Sequence, residues 1–485
     1  MIIKFSRKII NIFFTLYFAV FFFNDLRIPI IKPTWTVPVS ILSTLFTLCI
    51  LLQLNHKKFI NFSLKIINSK KNAINLYVIF ILYILTITLI KGIYGDINLL
   101  DSYVEIIFTY IIAILPIFLI NSYLIVYKIS PIKVLKILYV MFYLVLLFGI
   151  FDFIIYTFNI IPLQKIHSLF FNIQTMVSSS SFVKASAYNS VRVQSIYFEP
   201  GIFAEYIFVF STLIYTLTLS KIRFFRNTNV NTFIKSSYIP LMWLNLILTQ
   251  SPFGFTFTLI STCIFFKDKI LKYIVPISII SSICFILFCS FNLSAKKNYN
   301  NTFLSRIEIV CKNLYNINFI IESEQSLGTR ISCVLNLIEI GIEKNPLFGI
   351  GHSNLKPYMV AHIQKGSRHI MITKEMYHFI LYKQNPKFQN PPLSNMFVRY
   401  GFIGLILYYA FIFKIIYLLH KKEKTCKYID NKKLYKAFIF MIFSILVLSC
   451  YDLSIINLFM YSIIGTIIAF IEYKNHYYFL IRSTQ

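Results

Sequence analysis

The sequence predicts an all-α polytopic membrane protein with about twelve transmembrane helices and two large loops on one side. Three observations carry this. Of the 485 residues, 57% are hydrophobic and 13% charged, where a soluble domain carries about a quarter charged residues. Apolar runs of spanning length recur along the chain, too many and too long for one to be only a secretion signal. The basic residues between them fall almost wholly on one side, as the positive-inside rule describes. The net charge of +29 is therefore a topology signal, and nucleic acid is not an expected partner.

Residues 1–158 hold the first five spans, at about 9–25, 34–53, 73–92, 103–126 and 134–158. A Ser-rich external loop follows over 159–200. Residues 201–292 hold four more spans, at about 201–220, 237–250, 252–267 and 271–292, with LTQSPFG read as a tight reversal between two of them. The second external segment, 293–394, is a polar domain. Residues 395–485 hold the last three spans, at about 395–418, 434–450 and 453–471, and the tail. Each run is near the 17–25 residues a tilted helix needs, except the shorter pair around Gln250–Pro252. Lys4, Lys71, Lys133, Arg226 and Lys421 mark one face, whereas the short loops of the other hold only Arg27, Lys32 and Lys91. Both termini are thus expected in the cytosol.

Two stretches stand out within the external segments. SVRVQSIYFEPGIFAEY, 190–206, runs Arg192 and Glu199 into the outer end of a span, with Pro200 in its first turn, where the amide proline lacks would be an orphan anyway. In the second segment, TRISCVLNLIEIGIEK, 329–344, sets Ile331, Val334, Leu335, Ile338 and Ile342 at helical spacing, and Asn345–Pro346 ends the pattern. That helix is expected on the membrane surface or against the bundle.

Arg330, at the start of this helix, combines a guanidinium fork with free amides and the positive helix end, a suitable place for a phosphate or diphosphate. Arg192 offers a second fork. The two either clamp a diphosphate without a metal or each extend to lipid head groups. Glu199 either pairs with Arg192 or acts as base on a hydroxyl acceptor. Glu205 and Asp152 are further carboxylates inside spans, with a structural pairing favoured for Asp152. His352, after PLFGIG, is a candidate phosphate donor or acid/base group, whereas His362, His369 and His378 match no zinc spacing. No Walker loop, GxGxxG, Asp-x-Asp or HExxH occurs, so neither a metal nor a nucleotide cofactor is expected. The eight cysteines form no CxxC pair; Cys311 and Cys333 share the second external segment, where a disulfide is one option.

With these residues in place, the chain resembles the O-antigen polymerases (Wzy-type), grouped with the O-antigen ligases among integral-membrane glycosyltransferases. The resemblance rests on RVQSIYFEPGIFAEY, LTQSPFGFTFTLIS, TRISCVLNLIEIGIEKNPLFGIGHSNL and NMFVRYGFIGLILY, in this order. Ten residues separate Arg330 from Gly341, the Arg-x10-Gly spacing of that family; eight separate Arg192 from Gly201, a looser match. The resemblance implies a GT-C-like helical enzyme of the bacterial inner membrane acting at the periplasmic face. Its donor and acceptor would be undecaprenyl-diphosphate-linked glycans, with a chain-length regulator as a further partner. Arg192 and Arg330 would then stabilise the departing diphosphate, with Glu199 and His352 left to activate the acceptor. Where ligases carry a histidine–asparagine pair before the tenth span, this chain reads PPLSN. That disfavours a ligase. A lipid-linked oligosaccharide flippase would be expected to spread charge through its spans and show a repeat; here the charge is concentrated in the two loops.

Overall fold

The computed structural model describes residues 73–94, 98–121, 130–164, 200–220, 222–225, 227–249, 251–267, 325–352, 355–364, 392–426, 429–451 and 458–472, with isolated positions elsewhere. Among the described residues the fold is helical, apart from one antiparallel pair of three-residue strands, β1 (Arg27–Pro29) and β2 (Thr36–Pro38). Its helices are α1 (Ile74–Ile93), α2 (Leu99–Ile106), α3 (Ile112–Asn121), α4 (Ile132–Thr157), α5 (Pro200–Thr218) and α6 (Thr228–Leu248). They continue as α7 (Pro252–Phe265), α8 (Gln325–Lys344), α9 (Leu355–Gln364), α10 (Pro392–Thr425), α11 (Ile429–Tyr451) and α12 (Leu458–Glu472). A π-helical turn, Ile107–Ile111, joins α2 to α3 into one rod.

Among the described residues six helices are long and apolar enough to cross a membrane: α1, the α2–α3 rod, α4, α5, α10 and α11; α7 and α12 are shorter apolar helices. The expected span at 271–292 and most of those at 9–25 and 34–53 lie outside the described residues. The rod starts at Leu99, a turn before the apolar run, because Asn98 caps it by accepting from the amides of Leu100 and Asp101. The LTQSPFG break separates α6 from α7, and Ser251 caps α7 by accepting from the Gly254 amide at 3.3 Å.

Among the described spanning helices α5 is the most buried. It packs on α6, α7 and α11, and 89% of its spanning stretch is buried, as expected for a helix apolar all round. At Gly254 of α7 a Cβ would fall 2.4 Å from that of Ala204, so small residues set this close approach. On the other side of the bundle, α10 packs against α1, α8 and α11, and α12 against α3.

α8 packs on the bundle, with only part of the expected stripe facing it: Ile331, Val334 and Ile338 are half-buried. Its buried face carries Cys333, Asn336, Leu337, Ile340 and Gly341, while Leu335 and Ile342 are exposed. The close approach is steric: at Gly341 a Cβ would lie 2.6 Å from the Phe397 ring, so a residue without a side chain lets α8 meet α10 there, with Leu337 and Ile340 buried and Ile338 packed against them.

Candidate active site

The site is built around a break in α10. Gly401 has φ 68° and ψ −171°, a conformation glycine adopts readily and other residues do not. In an unbroken helix the amides of residues 402 and 403 would bond the carbonyls of 398 and 399. Instead Phe402 donates to Pro346 at 2.8 Å and Ile403 to Leu347 at 3.4 Å. The carbonyls so released, Val398 and Arg399, accept from Ile350 at 2.8 Å and Gly351 at 3.0 Å. The PLFGIG loop thus replaces both missing helix bonds, residue for residue. A third released carbonyl, that of Tyr400, accepts from the Tyr83 hydroxyl of α1 at 2.9 Å. Each backbone polar group named here thus has a partner, as irregular backbone within an apolar helix requires.

This exchange sets His352, at the end of the loop, against Arg399 and Tyr400 at the break. Two turns into the α2–α3 rod, just before its π turn, Glu105 completes the group. The Glu105 Oε2 lies 2.9 Å from His352 Nε2 and 3.9 Å from Arg399 Nη1. On the other side of the ring, His352 Nδ1 meets the Tyr400 hydroxyl. An ionised carboxylate only accepts, so the proton is assigned to Nε2, which donates to Glu105, and Nδ1 accepts from Tyr400. Arg399 Nη1, 2.7 Å from Nε2 and 3.1 Å from Nδ1, then serves as a neighbouring charge rather than a donor to the ring. Tyr110 closes the floor, its ring edge-on to His352 with centroids 6.1 Å apart.

Burial, and after it the Arg399 guanidinium, hold the His352 imidazole down to about 4, against the opposing pull of Glu105. The histidine is therefore neutral at neutral pH. Exposure divides the group: the His352 side chain is 1% exposed, Arg399 16% and Glu105 55%. The arrangement can hold an anion beside Arg399 and accept a proton at Glu105, with a neutral imidazole behind.

Of the residues singled out in the sequence, His352 lies in this cluster. Arg330 lies on α8, which packs on α10, but not at its start: the helix begins at Gln325, so Arg330 is in the second turn and the free amides expected beside it belong to residues before it. Arg192 and Glu199, with His369, His378 and Cys311, lie outside the described residues. Two positions near Arg192, Val193 and Ser195, are described. Val193 donates its amide to Leu248 at 3.0 Å, and Ser195 donates its amide to Asp152 at 3.2 Å and its hydroxyl to Val145 at 2.8 Å. Asp152 and Glu205 are both buried, Glu205 in α5. His362 pairs with Glu339 of α8 at 3.1 Å. Cys333 is buried in the α8–α10 contact.

Sequence reasoning missed Glu105, Arg399 and Tyr400. The signals were a carboxylate at the start of one apolar run and an arginine–tyrosine pair directly before a glycine, VRYG, inside another. Comparison with models of protein families finds no match, and comparison with curated proteins finds none either.

Proposed function

We propose that the chain is a metal-independent, GT-C-like membrane glycosyltransferase that polymerises undecaprenyl-diphosphate-linked repeat units into O-antigen or a capsule-like glycan. One observation carries the reading. The helix bearing the Arg-x10-Gly pair and the loop after it are bound, through Gly341 and the 346–351 exchange, to the segment bearing Arg399. Two of the four stretches that carry the resemblance, the one running through His352 and the one opening α10, thus meet at one polar cluster. On this reading twelve spans place the cluster at the periplasmic face, with both termini in the cytosol. The growing glycan leaves its lipid diphosphate and joins the terminal sugar of a fresh unit. Arg192, Arg330 and Arg399 bind the diphosphate, and stabilising its developing charge is the main catalytic effect. His352 and Glu199 belong to the acceptor side.

The test is deletion of the gene and gel analysis of the surface polysaccharide. Loss of the ladder with one repeat unit still on the core is the expected result. Loss of every repeat from the core would point instead to a ligase or a flippase and would sink the polymerase reading.

A further inference from the structure

We infer that Glu105 is the base that takes the proton from the acceptor hydroxyl, with His352 as a positioning residue behind it; this rests on the polymerase reading. The argument is one of access and valence. His352 is enclosed and both ring nitrogens are engaged, Nε2 by Glu105 and Nδ1 by Tyr400. Tyr400 is fully buried. Arg399, a permanent cation, cannot accept a proton. Glu105 alone in the group combines a proton-accepting atom with an open face, its side chain 55% exposed.

The location sharpens the point. A carboxylate inside an apolar helix is costly, about 2.5–3.5 kcal/mol on insertion scales at mid-membrane. Leu100, Val104 and Ile107 around it are exposed apolar side chains. The imidazole and Arg399 hold the carboxylate from one side, and its other side is turned to whatever enters. A sugar hydroxyl suits that position, because it donates the hydrogen bond that an ionised carboxylate seeks. The chain of contacts Glu105–His352–Tyr400 then fixes the carboxylate without neutralising it, since the tyrosine hydroxyl keeps Nδ1 an acceptor and the Nε2 proton directed at Glu105.

The step balances without a further reactant. The acceptor oxygen bonds to the anomeric carbon of the donor glycan as its proton passes to Glu105. The bond from that carbon to the diphosphate oxygen breaks, and its electron pair leaves on the diphosphate beside the arginines. Glu105 then returns the proton to solvent.

The experiment uses the full chain in proteoliposomes with a short undecaprenyl-diphosphate-linked oligosaccharide. Glu105→Gln keeps an acceptor for the His352 Nε2 proton but cannot take a proton from substrate. Turnover should fall by about 10²–10⁴-fold, the usual share of a general base, while binding of a donor whose acceptor hydroxyl is methylated is unchanged. Glu105→Ala should regain turnover on addition of formate, which a purely structural role would not allow. Full turnover by Glu105→Gln, loss of donor binding in step with turnover, or no formate rescue each overturns the assignment. Failure of the wild-type chain to extend any lipid-linked unit in the same vesicles is a different result, in which the polymerase reading fails and the inference falls with it.

Discussion

A Cβ on Gly401 would lie 2.1 Å from the carbonyl oxygen of Leu347. The two residues are in different elements, yet their backbones touch because α10 opens where the 346–351 loop inserts. Gly349, with φ 72°, repeats the relation from the loop side, its own Cβ position falling 2.4 Å from the Arg399 carbonyl oxygen.

Gly401→Ala should therefore destabilise the chain by about 1–3 kcal/mol from backbone strain alone, with a further loss as the exchange with the loop opens. Gly349→Ala should act in the same direction. Because both changes open one exchange, the double variant should lose less than the sum of the two. Thermal unfolding in detergent measures all three. A fully stable Gly401→Ala would mean that α10 can close its own hydrogen bonds.

Arg330→Lys tests the diphosphate grip. An ammonium supplies charge without the planar fork, and losing one preorganised contact of this kind costs about 10²–10³ in rate. The variant, and Arg330→Ala with it, should leave mostly single repeat units on the cell surface at normal membrane levels. A full ladder from Arg330→Lys would show that the residue merely meets lipid head groups.

The pH dependence of stability reports on His352. Its folded value of about 4 is below the unfolded value of about 6.5, so the unfolded chain binds the extra proton between the two. The contribution is complete above about 6.5, shrinks as pH falls towards about 4, and is constant below. The groups facing the ring are Glu105, Arg399, Tyr400 and Tyr110. His352→Gln should lose less stability over that interval than wild type. Parallel losses in the two chains would mean that the imidazole is not held neutral.

Sidedness can be read with reporters. A reporter active only in the cytosol should work when fused after Lys71, Arg226 or Lys424 and fail when fused within 300–390. Activity of a fusion near residue 340 would reverse the sides and remove the periplasmic assignment.

Hydropathy was enough to place the rods, since length and apolarity are local properties. α1, α4, α5 and the Lys344 end of α8 fall within a few residues of their expected bounds. What stayed hidden was what depends on partners. The stripe Ile331–Ile342 pointed to one face of α8, but only part of it faces the bundle, and the close approach at Gly341 depends on Phe397 opposite. His352 could be singled out from its loop, yet Glu105 lies far away in sequence and meets it only once the rod and α10 stand side by side. Nor does one glycine in VRYGFIG announce a break. Gly404, a turn later, lies in the unbroken helix beyond the break, and only the loop opposite Gly401 distinguishes the two.

The break in α10 also bears on biogenesis. From Phe402 onward α10 is still long enough to span a bilayer, so that part can enter lipid as an ordinary helix on emerging from the ribosome. The piece Pro392–Tyr400 carries carbonyls that lipid cannot satisfy. Their donors, in 346–351, precede them in the chain and are synthesised first. Order of synthesis thus supplies the docking loop before the helix that needs it.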